Sequence, residues 1–235
     1  MANCITKHIP NTITCCNLVC GCIAIVNALS GLYSMAFLFI ILGAVFDFFD
    51  GMTARLLGVS SPIGKELDSL ADVITFGAAP SAMIFTLLGT QTYPASLSAI
   101  SPYIPYVAFV MAGFSALRLA KFNLDERQST SFIGLPTPAN ALFWGSLIVG
   151  SETFLSSSLS NVAAVIVLVF VMSYLLVAEI PMFALKFKTW GWRGNEVKYI
   201  FLLTCIPLLI FLNLSGFAAI IAWYVVLSEL TRKKS

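Results

Sequence analysis

The sequence predicts an all-α integral membrane protein with about eight transmembrane helices and both termini in the cytoplasm. Composition is the first reason: of 235 residues, 59% are hydrophobic and only 10% are charged, with a mean hydropathy of +0.93. An average soluble domain carries about 25% charged residues. The other reasons are a succession of apolar segments and the placement of the basic residues between them. The net charge of +2 is too small to indicate a nucleic-acid partner.

Eight apolar segments follow one another along the chain. A bilayer core of about 30 Å requires roughly 20 apolar residues in a helix. Segments of about that length are predicted near 10–30, 33–57, 67–90, 101–122, 137–156, 159–185, 197–213 and 215–231. Asp47, Asp50 and Arg55 interrupt the second segment near its end, and Asp68 and Asp72 lie at the start of the third. The last two segments are barely long enough to span a bilayer and follow each other almost directly. The count of eight therefore depends most on the short hairpin between them.

The basic residues lie on alternate connections. The thirteen lysines and arginines are Lys7, Arg55, Lys65, Arg118, Lys121, Arg127, Lys186, Lys188, Arg193, Lys198, Arg232, Lys233 and Lys234. The opposite connections, at 31–32, 89–101, 152–158 and 213–216, hold none. Because basic residues accumulate on the cytoplasmic side of a membrane, both termini are expected there. An odd number of spans would have scattered these residues over both sides.

Four of the eleven acidic residues crowd into one short stretch. Asp47 and Asp50 are three residues apart on the second helix, and Asp68 and Asp72 are four apart on the third, so each pair shares a helix face. The turn at 60–64 reverses the chain and is expected to bring the two faces together. The sequence therefore predicts four converging carboxylates at the cytoplasmic end of two adjacent helices.

Four carboxylates in this position favour bound divalent cations. A charged acid within a membrane span is costly, and neighbouring carboxylates repel one another. All-oxygen ligation favours Mg²⁺, Mn²⁺ or Ca²⁺ over zinc, and two metal ions sharing carboxylates can clamp a phosphate during displacement chemistry. The alternative is that the acids form ion pairs with Arg55, Lys65 and Lys121 at helix ends, which accounts for only one or two of them.

The residues between the two aspartate pairs suit a phosphate ligand. Gly51 has no Cβ, so a ligand can approach the helix backbone closely. Ala54, about one turn later, has a small side chain that leaves the same face accessible. The guanidinium of Arg55 can bind a pair of phosphate oxygens, which lysine does less well. The residues alone therefore predict a site that binds divalent metal ions and a phosphate group close to the helix backbone.

The same stretch resembles the signature of the CDP-alcohol phosphotransferases. Read from Asp47 to Asp72, it is Asp-x₂-Asp-Gly-x₂-Ala-Arg-x₈-Gly-x₃-Asp-x₃-Asp, with all eight fixed positions filled at the family's spacing. Members of this family join a CDP-linked lipid to an alcohol at the membrane surface and release CMP. The resemblance implies two divalent ions, Mg²⁺ or Mn²⁺. It also implies one membrane domain over 1–235, with catalytic helices at about 10–140 and additional helices at about 141–235.

Further stretches resemble one branch of that family, the phosphatidylserine synthases. They are Thr75-Phe76-Gly77-Ala-Ala-Pro80, where threonine replaces the branch's usual serine, Arg118-Leu-Ala-Lys121-Phe122-Asn123, and Phe132-Ile-Gly134-Leu-Pro136-Thr-Pro138-Ala. The opening stretch 10–17 is similar to the family's first helix. This resemblance implies that the substrates are CDP-diacylglycerol and L-serine and that the pathway is phospholipid biosynthesis. A structural alternative is that Phe76-Gly77 and Gly134–Pro136 permit close helix packing and a sharp loop.

The resemblance also assigns catalytic roles to matching positions. Asp47, Asp50, Asp68 and Asp72 would hold the metals. Asp72 would in addition be the general base that takes the proton of the serine hydroxyl, a role that crowding by other carboxylates favours.

Residues that would contact the substrates follow from the same resemblance. Those expected at CDP-diacylglycerol are Gly51, Ala54, Arg55 and Ser61, with Arg55 on the diphosphate, together with Asn11 and Thr14 on the cytidine. Arg118 and Lys121 would meet the carboxylate of serine or the lipid phosphates. The alternative for these two is that they are ordinary positive-inside anchors.

Two other functions are compatible with the sequence. The same machinery could act on another alcohol, such as glycerol 3-phosphate or an inositol phosphate, with Arg118, Lys121 and Arg127 supplying the extra positive charge. A divalent-cation transporter would instead place its acids near the membrane midplane, often on broken helices. Here the acids lie at cytoplasmic helix ends beside Arg55 and Gly51, which suits an interfacial phosphate substrate better.

The charge pattern also predicts location. An inside-positive, multi-pass protein suits a bacterial or archaeal plasma (inner) membrane, with the active site facing the cytoplasm. Members of the family commonly form homodimers, which the resemblance extends to this chain without indicating an interface.

Overall fold

Helices account for nearly all of the residues that the computed structural model describes, which are 8–59, 61–125, 132–183, 191–192 and 195–231. The α-helices are α1 Ile9–Leu29, α2 Tyr33–Leu57, α3 Pro62–Asp72, α4 Ala79–Gly89, α5 Phe109–Leu124, α6 Thr137–Leu155, α7 Leu159–Val177, α8 Glu196–Leu212 and α9 Ser215–Leu230. A π-helical turn, Val73–Ala78, joins α3 to α4, and 3₁₀ turns at Ala95–Leu97 and Ile104–Ala108 precede α5. Two short strands are β1 Phe132–Ile133 and β2 Pro181–Met182. Each of the eight predicted segments overlaps a helix.

Five helical stretches in the described part of the chain are long and apolar enough to cross a membrane. They are Ile9–Leu29, Tyr33–Leu57, Pro62–Gly89, Ile104–Leu124 and Leu159–Val177. Helices α8 and α9 have 17 and 16 residues, about 25 Å at 1.5 Å per residue, which is short of a bilayer core of about 30 Å. The protein is thus an all-helical membrane protein, and the count of eight spans stays a prediction.

Orientation in the membrane also stays a prediction. Many of the basic residues on which it depends lie outside the described residues, namely Lys7, Arg127, Lys186, Lys188, Arg193 and Arg232 to Lys234. The four described ones that precede residue 125 lie near the ends of α2, α3 and α5, which are the helix ends that carry the candidate site.

The third helix begins at Pro62 rather than near residue 67. Ser61 is its N-cap residue, and the Ser61 Oγ accepts a hydrogen bond from the Gly64 N–H at 3.0 Å. Proline is favoured at the first helical position because the N–H it lacks would have no partner there. Helix α2 ends at Leu57, and its C-cap residue Gly58 has a φ of +62°. Residues 62–64 of the predicted 60–64 turn therefore belong to α3, and the two aspartate-bearing helices follow each other closely.

The chain after α7 leaves the helix for a strand, so the predicted span 159–185 is too long. Strand β1 pairs antiparallel with β2, with Ile133 opposite Pro181. The Gly134 N–H donates to the Ile180 carbonyl oxygen at 2.9 Å. Gly134 has φ +76°, and a Cβ there would lie 2.7 Å from the Leu176 carbonyl oxygen. These contacts hold the α5–α6 connection against the end of α7.

Large apolar side chains lie both in the core and on the outer surface, as expected of a membrane protein. The largest fully buried side chains include Ile40, Phe76, Met83 and Trp144, from α2, the π-turn, α4 and α6. Large apolar side chains such as Phe211, which is 81% exposed, cover the outside. Helix α1 packs along α2 and also contacts α3 and α4. This packing places the polar side chains of α1 next to the aspartates.

Candidate active site

The four aspartates come from the second half of α2 and the last turns of α3. Carboxylate oxygens of Asp47, Asp50 and Asp68 all lie within 4.8 Å of one another. The Asp47 carboxyl group is also within hydrogen-bonding reach of the Asp68 and Asp72 carboxyl groups. Asp50 and Asp72 are only 6% and 7% exposed. The structure therefore brings the two pairs together into one largely buried acidic cluster.

Two polar side chains of α1 orient the cluster. The Thr14 hydroxyl donates to Asp50 Oδ2 at 2.6 Å, and the Asn17 amide donates from Nδ2 to Asp72 Oδ1 at 3.2 Å. Both donors are buried, so water competes little for these hydrogen bonds. Each contacts a different aspartate pair, and α1 thereby fixes the two pairs relative to each other.

The donor set fits divalent cations. It consists of carboxylate oxygens, the ligands that Mg²⁺ and Mn²⁺ prefer. The Asp68 Oδ1 atom is buried and has no hydrogen-bond partner among the described residues, and a buried polar atom in that state is costly unless a ligand satisfies it. Lys65, one candidate for an ion pair, donates instead to the Asn123 carbonyl oxygen at 2.9 Å.

A cavity of about 210 Å³ opens beside Asp50 and Asp68. Its walls come from the start of α1, the end of α2 and the start of α3. Five of the six residues that the sequence predicts at CDP-diacylglycerol line it, namely Asn11, Thr14, Gly51, Ala54 and Ser61. Lys65 also lines this cavity, a cation to which sequence reasoning gave no substrate role.

Arg55, the sixth predicted residue, lies at the edge of this cavity rather than in its wall. Its side chain is exposed, and one Nη atom is 3.8 Å from the point where a Cβ on Gly51 would be. The guanidinium is therefore free to contact a ligand that covers the Gly51 face.

A second cavity, of about 190 Å³, contains both predicted acceptor residues. Arg118 and Lys121 line it together with Asp125 and Glu179 and with apolar side chains from β1 and α7. The Arg118 guanidinium is close enough to the Asp72 carboxylate for their charges to interact. Asp72 is thus a member of the acidic cluster that interacts electrostatically with a residue of this cavity.

Arg118 is buried and held in place. It is 7% exposed, its Nη1 donates to Thr137 Oγ1 at 3.3 Å, and its guanidinium lies 5.3 Å from the centre of the Phe122 ring. An exposed side chain at the lipid interface would suit a simple membrane anchor, and Arg118 does not have that environment. Lys121, one turn further along α5, is exposed.

The branch motif around Phe76 has a packing role in the structure. The Thr75 hydroxyl donates to the Asn17 carbonyl oxygen at 3.0 Å, and Phe76 is fully buried in the core. A Cβ on Gly77 would lie 3.0 Å from the Ser115 Cβ. These three positions bring the π-turn close to α1 and α5, which is the structural alternative stated above.

Asn17 and Glu179 are among the polar residues of the site to which sequence reasoning gave no role. Asn17 had a detectable signal, since it is a polar side chain three residues after Thr14 and so on the same face of an apolar helix. Glu179 had no comparable signal in the sequence. The placement of Glu179 depends on the β1–β2 pairing, which no local pattern indicates.

The fold and the site define a class: a helical membrane protein in which two consecutive helices gather acidic residues near two cavities. The chain belongs to the CDP-alcohol phosphatidyltransferase family, whose model matches residues 7–184. That range includes the acidic cluster and both cavities and ends before α8.

Individual relatives agree with the family match. The chain is 41% identical over 133 residues to the CDP-diacylglycerol–serine O-phosphatidyltransferase of Bacillus subtilis, covering 56% of this chain and 70% of that protein. It is 36% identical over 135 residues to the protein of the same name from Helicobacter pylori, covering 57% and 54%. It is 30% identical over 174 residues to the archaetidylserine synthase of Methanothermobacter thermautotrophicus, covering 73% and 68%. The matched part thus spans between about half and 70% of these relatives.

Proposed function

We propose that this protein transfers the phosphatidyl group of CDP-diacylglycerol to the hydroxyl of L-serine, forming phosphatidylserine and CMP in phospholipid biosynthesis. The observation that carries the proposal is the position of Asp72. This carboxylate contacts the acidic cluster through Asp47 and interacts with Arg118 in the second cavity. A donor held in the first cavity and an acceptor held in the second would meet beside it.

The first cavity is the proposed CDP-diacylglycerol site. Its floor at Gly51 and Ala54 has little side-chain bulk, so the diphosphate can lie close to α2. Arg55 would bind the diphosphate oxygens with a charge-assisted hydrogen bond, and Asn11 and Ser61 would contact the nucleotide end. The Ser61 hydroxyl keeps a lone pair for this contact while accepting from Gly64. Thr14 would act mainly by holding Asp50.

The acidic cluster is the proposed metal centre. Asp47, Asp50, Asp68 and Asp72 would hold two divalent ions, Mg²⁺ or Mn²⁺. When bound, such ions supply positive charge that stabilises the diphosphate and the departing CMP. Thr14 and Asn17 would keep the carboxylates in position for this role.

The transfer itself needs a base and an acceptor. Asp72 would accept the proton of the serine hydroxyl, the serine oxygen would form a bond to the phosphorus nearest the diacylglycerol, and the bond from that phosphorus to the CMP oxygen would break. A base must lie within hydrogen-bond reach of the proton it removes, and Arg118 would hold the acceptor carboxylate close to Asp72.

The proposal includes the placement of the protein. We infer a multi-pass protein of the plasma (inner) membrane, with eight spans, both termini and the active site on the cytoplasmic side, a single domain over 1–235 and a homodimeric assembly. Cysteine labelling from either side of sealed vesicles tests the orientation, with reporters at Glu66 and in the 152–158 connection expected on opposite sides.

The decisive experiment measures CMP release by purified protein in detergent, with CDP-diacylglycerol, Mg²⁺ or Mn²⁺ and a panel of acceptors. The proposal requires that release depend on L-serine. Release that depends instead on glycerol 3-phosphate or an inositol phosphate would retain the donor and metal assignments and overturn the acceptor. Absence of release with every acceptor would overturn the proposal as a whole.

A further inference from the structure

The second cavity carries both signs of charge. Arg118 and Lys121, three residues apart on α5, supply the cations, and Asp125 and Glu179 supply the anions. Its volume of about 190 Å³ is several times the roughly 30 Å³ that one water occupies in the liquid. A cavity of this size and charge pattern suits a small zwitterion, whose two charges both find opposite partners.

We propose that Glu179 binds the ammonium group of the L-serine acceptor while Arg118 binds its carboxylate. This inference rests on the proposed function and adds to it a residue that selects the acceptor. Glu179 and Arg118 come from different parts of the chain, the segment after α7 and the end of α5, so the site exists only in the folded protein.

Arg118 is prepared to receive a carboxylate. Its Nη1 is engaged with Thr137, and the Phe122 ring lies against the guanidinium. Its Nε is buried and has no hydrogen-bond partner among the described residues. A buried donor in that state is stabilised by an incoming acceptor, and a carboxylate is the acceptor whose geometry matches a guanidinium.

Backbone contacts on both sides hold Glu179 at the cavity. The Ala178 N–H donates to the Tyr174 carbonyl oxygen, and the Ile180 carbonyl oxygen accepts from the Gly134 N–H, both at 2.9 Å. The Glu179 side chain itself is exposed and lines the cavity. The carboxylate is therefore presented from a fixed backbone, with room for a ligand to reach it.

This arrangement discriminates between acceptors. The ammonium of serine would contact a negative side chain, whereas a phosphorylated alcohol would bring two negative charges towards Glu179 and Asp125. A like-charge contact of this kind rejects a competing ligand. Serine held at Arg118 also lies beside Asp72, the proposed base, so binding and proton removal occur at one place.

The test compares three full-length proteins in the detergent assay with CDP-diacylglycerol and Mg²⁺: wild type, Glu179→Gln and a control, Glu152→Gln. Glu152 is an exposed acid towards the opposite end of α6 from Thr137. Loss of a charge-assisted hydrogen bond should raise the KM for L-serine about tenfold or more in Glu179→Gln. The KM for CDP-diacylglycerol should be unchanged, and Glu152→Gln should match wild type.

Two fragments of serine provide a second measurement. 3-Hydroxypropionate lacks the ammonium and should inhibit wild type and Glu179→Gln equally. Ethanolamine lacks the carboxylate and should inhibit Glu179→Gln more weakly than wild type. Should Glu179→Gln fail to fold, Glu179→Asp and Glu179→Asn make the same charge comparison with a side chain one methylene shorter.

The outcomes separate the inference from the proposed function. An unchanged KM for L-serine in Glu179→Gln, in protein that still turns over, overturns the ammonium contact and leaves the proposed function standing. Absence of serine-dependent CMP release from the wild type overturns the proposed function, and the inference with it.

Discussion

The Asn17 amide donates from Nδ2 to Asp72 Oδ1 across 3.2 Å and joins the middle of α1 to the end of α3. Asn17 is fully buried, and Asp72 is 7% exposed, so this hydrogen bond is shielded from water. A carboxylate that must accept a proton from one defined direction benefits from a donor that fixes its orientation. Asn17 is therefore a positioning residue for the proposed base.

Replacing Asn17 with alanine should lower kcat about 10–100-fold, the equivalent of one hydrogen bond to a charged group, about 1.5–3 kcal/mol. The KM for CDP-diacylglycerol should change little, because Asn17 does not line the donor cavity. Asn27→Ala is the matched control, since the Asn27 side chain donates to the Ile23 carbonyl oxygen on the same helix, away from the aspartates. Steady-state CMP release measures both. Equal kcat values for the two variants would rule out the positioning role.

Asp72→Asn should abolish turnover, with a loss of at least about 10²–10⁴-fold, the usual contribution of a general base. Much of the binding of CDP-diacylglycerol should remain, because Asp72 does not line the first cavity, and ligand-induced thermal stabilisation in detergent can detect it. Glu66→Gln serves as the control, since Glu66 is an exposed acid on the same helix. Wild-type turnover by Asp72→Asn would contradict the assignment of Asp72 as base.

Chelation with EDTA should abolish CMP release, and Mg²⁺ or Mn²⁺ should restore it. Thr14→Val keeps the shape of the side chain but removes the 2.6 Å hydrogen bond to Asp50. The variant should therefore need a metal concentration about tenfold higher or more for half-maximal activity, since removing a residue that orients metal ligands typically lowers affinity about 10–100-fold. Thr12→Val is the control, because the exposed Thr12 hydroxyl donates to the His8 carbonyl oxygen, away from the aspartates. An identical metal dependence of the two variants would exclude a role for Thr14 at the metal centre.

The sequence predicted the parts of this site that local spacing determines. Asp47 and Asp50 share a helix face because they are three residues apart, and apolar runs of bilayer length identify their helices without any knowledge of tertiary contacts. The predicted positions of the helix ends were less accurate. Ser61 and Pro62 carry an N-terminal helix signal, yet the hydropathy of the following residues is too low to mark that turn as part of a span.

Other features depend on residues that are distant in the chain. The hydrogen bond between Asn17 and Asp72 joins residues 55 positions apart, and the pairing of Ile133 with Pro181 is what places Glu179 at the second cavity. Two-residue strands have no period that a sequence pattern can reveal. The acidic cluster and the α5 side of the acceptor cavity could therefore be predicted, whereas the side that carries Glu179 could not.

Arg55→Lys should weaken the apparent affinity for CDP-diacylglycerol by about 1–3 kcal/mol, the range for hydrogen bonds to charged groups. Lysine keeps the charge but cannot bind two phosphate oxygens at once in the planar geometry of a guanidinium. The KM for L-serine should stay the same and acts as the internal control, because Arg55 does not line the acceptor cavity. An unchanged KM for CDP-diacylglycerol would count against the diphosphate contact.

Gly134→Ala should lower the melting temperature in detergent. A non-glycine residue at φ +76° is strained by about 1–3 kcal/mol, and the added Cβ would meet the Leu176 and Ala178 carbonyl oxygens at 2.7 and 3.0 Å. Gly113→Ala is the contrasting variant. Gly113 lies within α5, is exposed and has nothing within 4 Å of an added Cβ, so alanine there should be neutral or stabilise the helix by up to about 1 kcal/mol.

The position of Gly134 gives this variant a second, functional consequence. The backbone that Gly134 contacts is the segment that carries Glu179, so a displaced segment should raise the KM for L-serine while the KM for CDP-diacylglycerol stays near that of wild type. Gly113→Ala should change neither constant. A lower melting temperature with an unaltered KM for serine would mean that the β1–β2 contact stabilises the fold without shaping the acceptor cavity. Parallel changes in both KM values would mean that the two cavities do not respond independently.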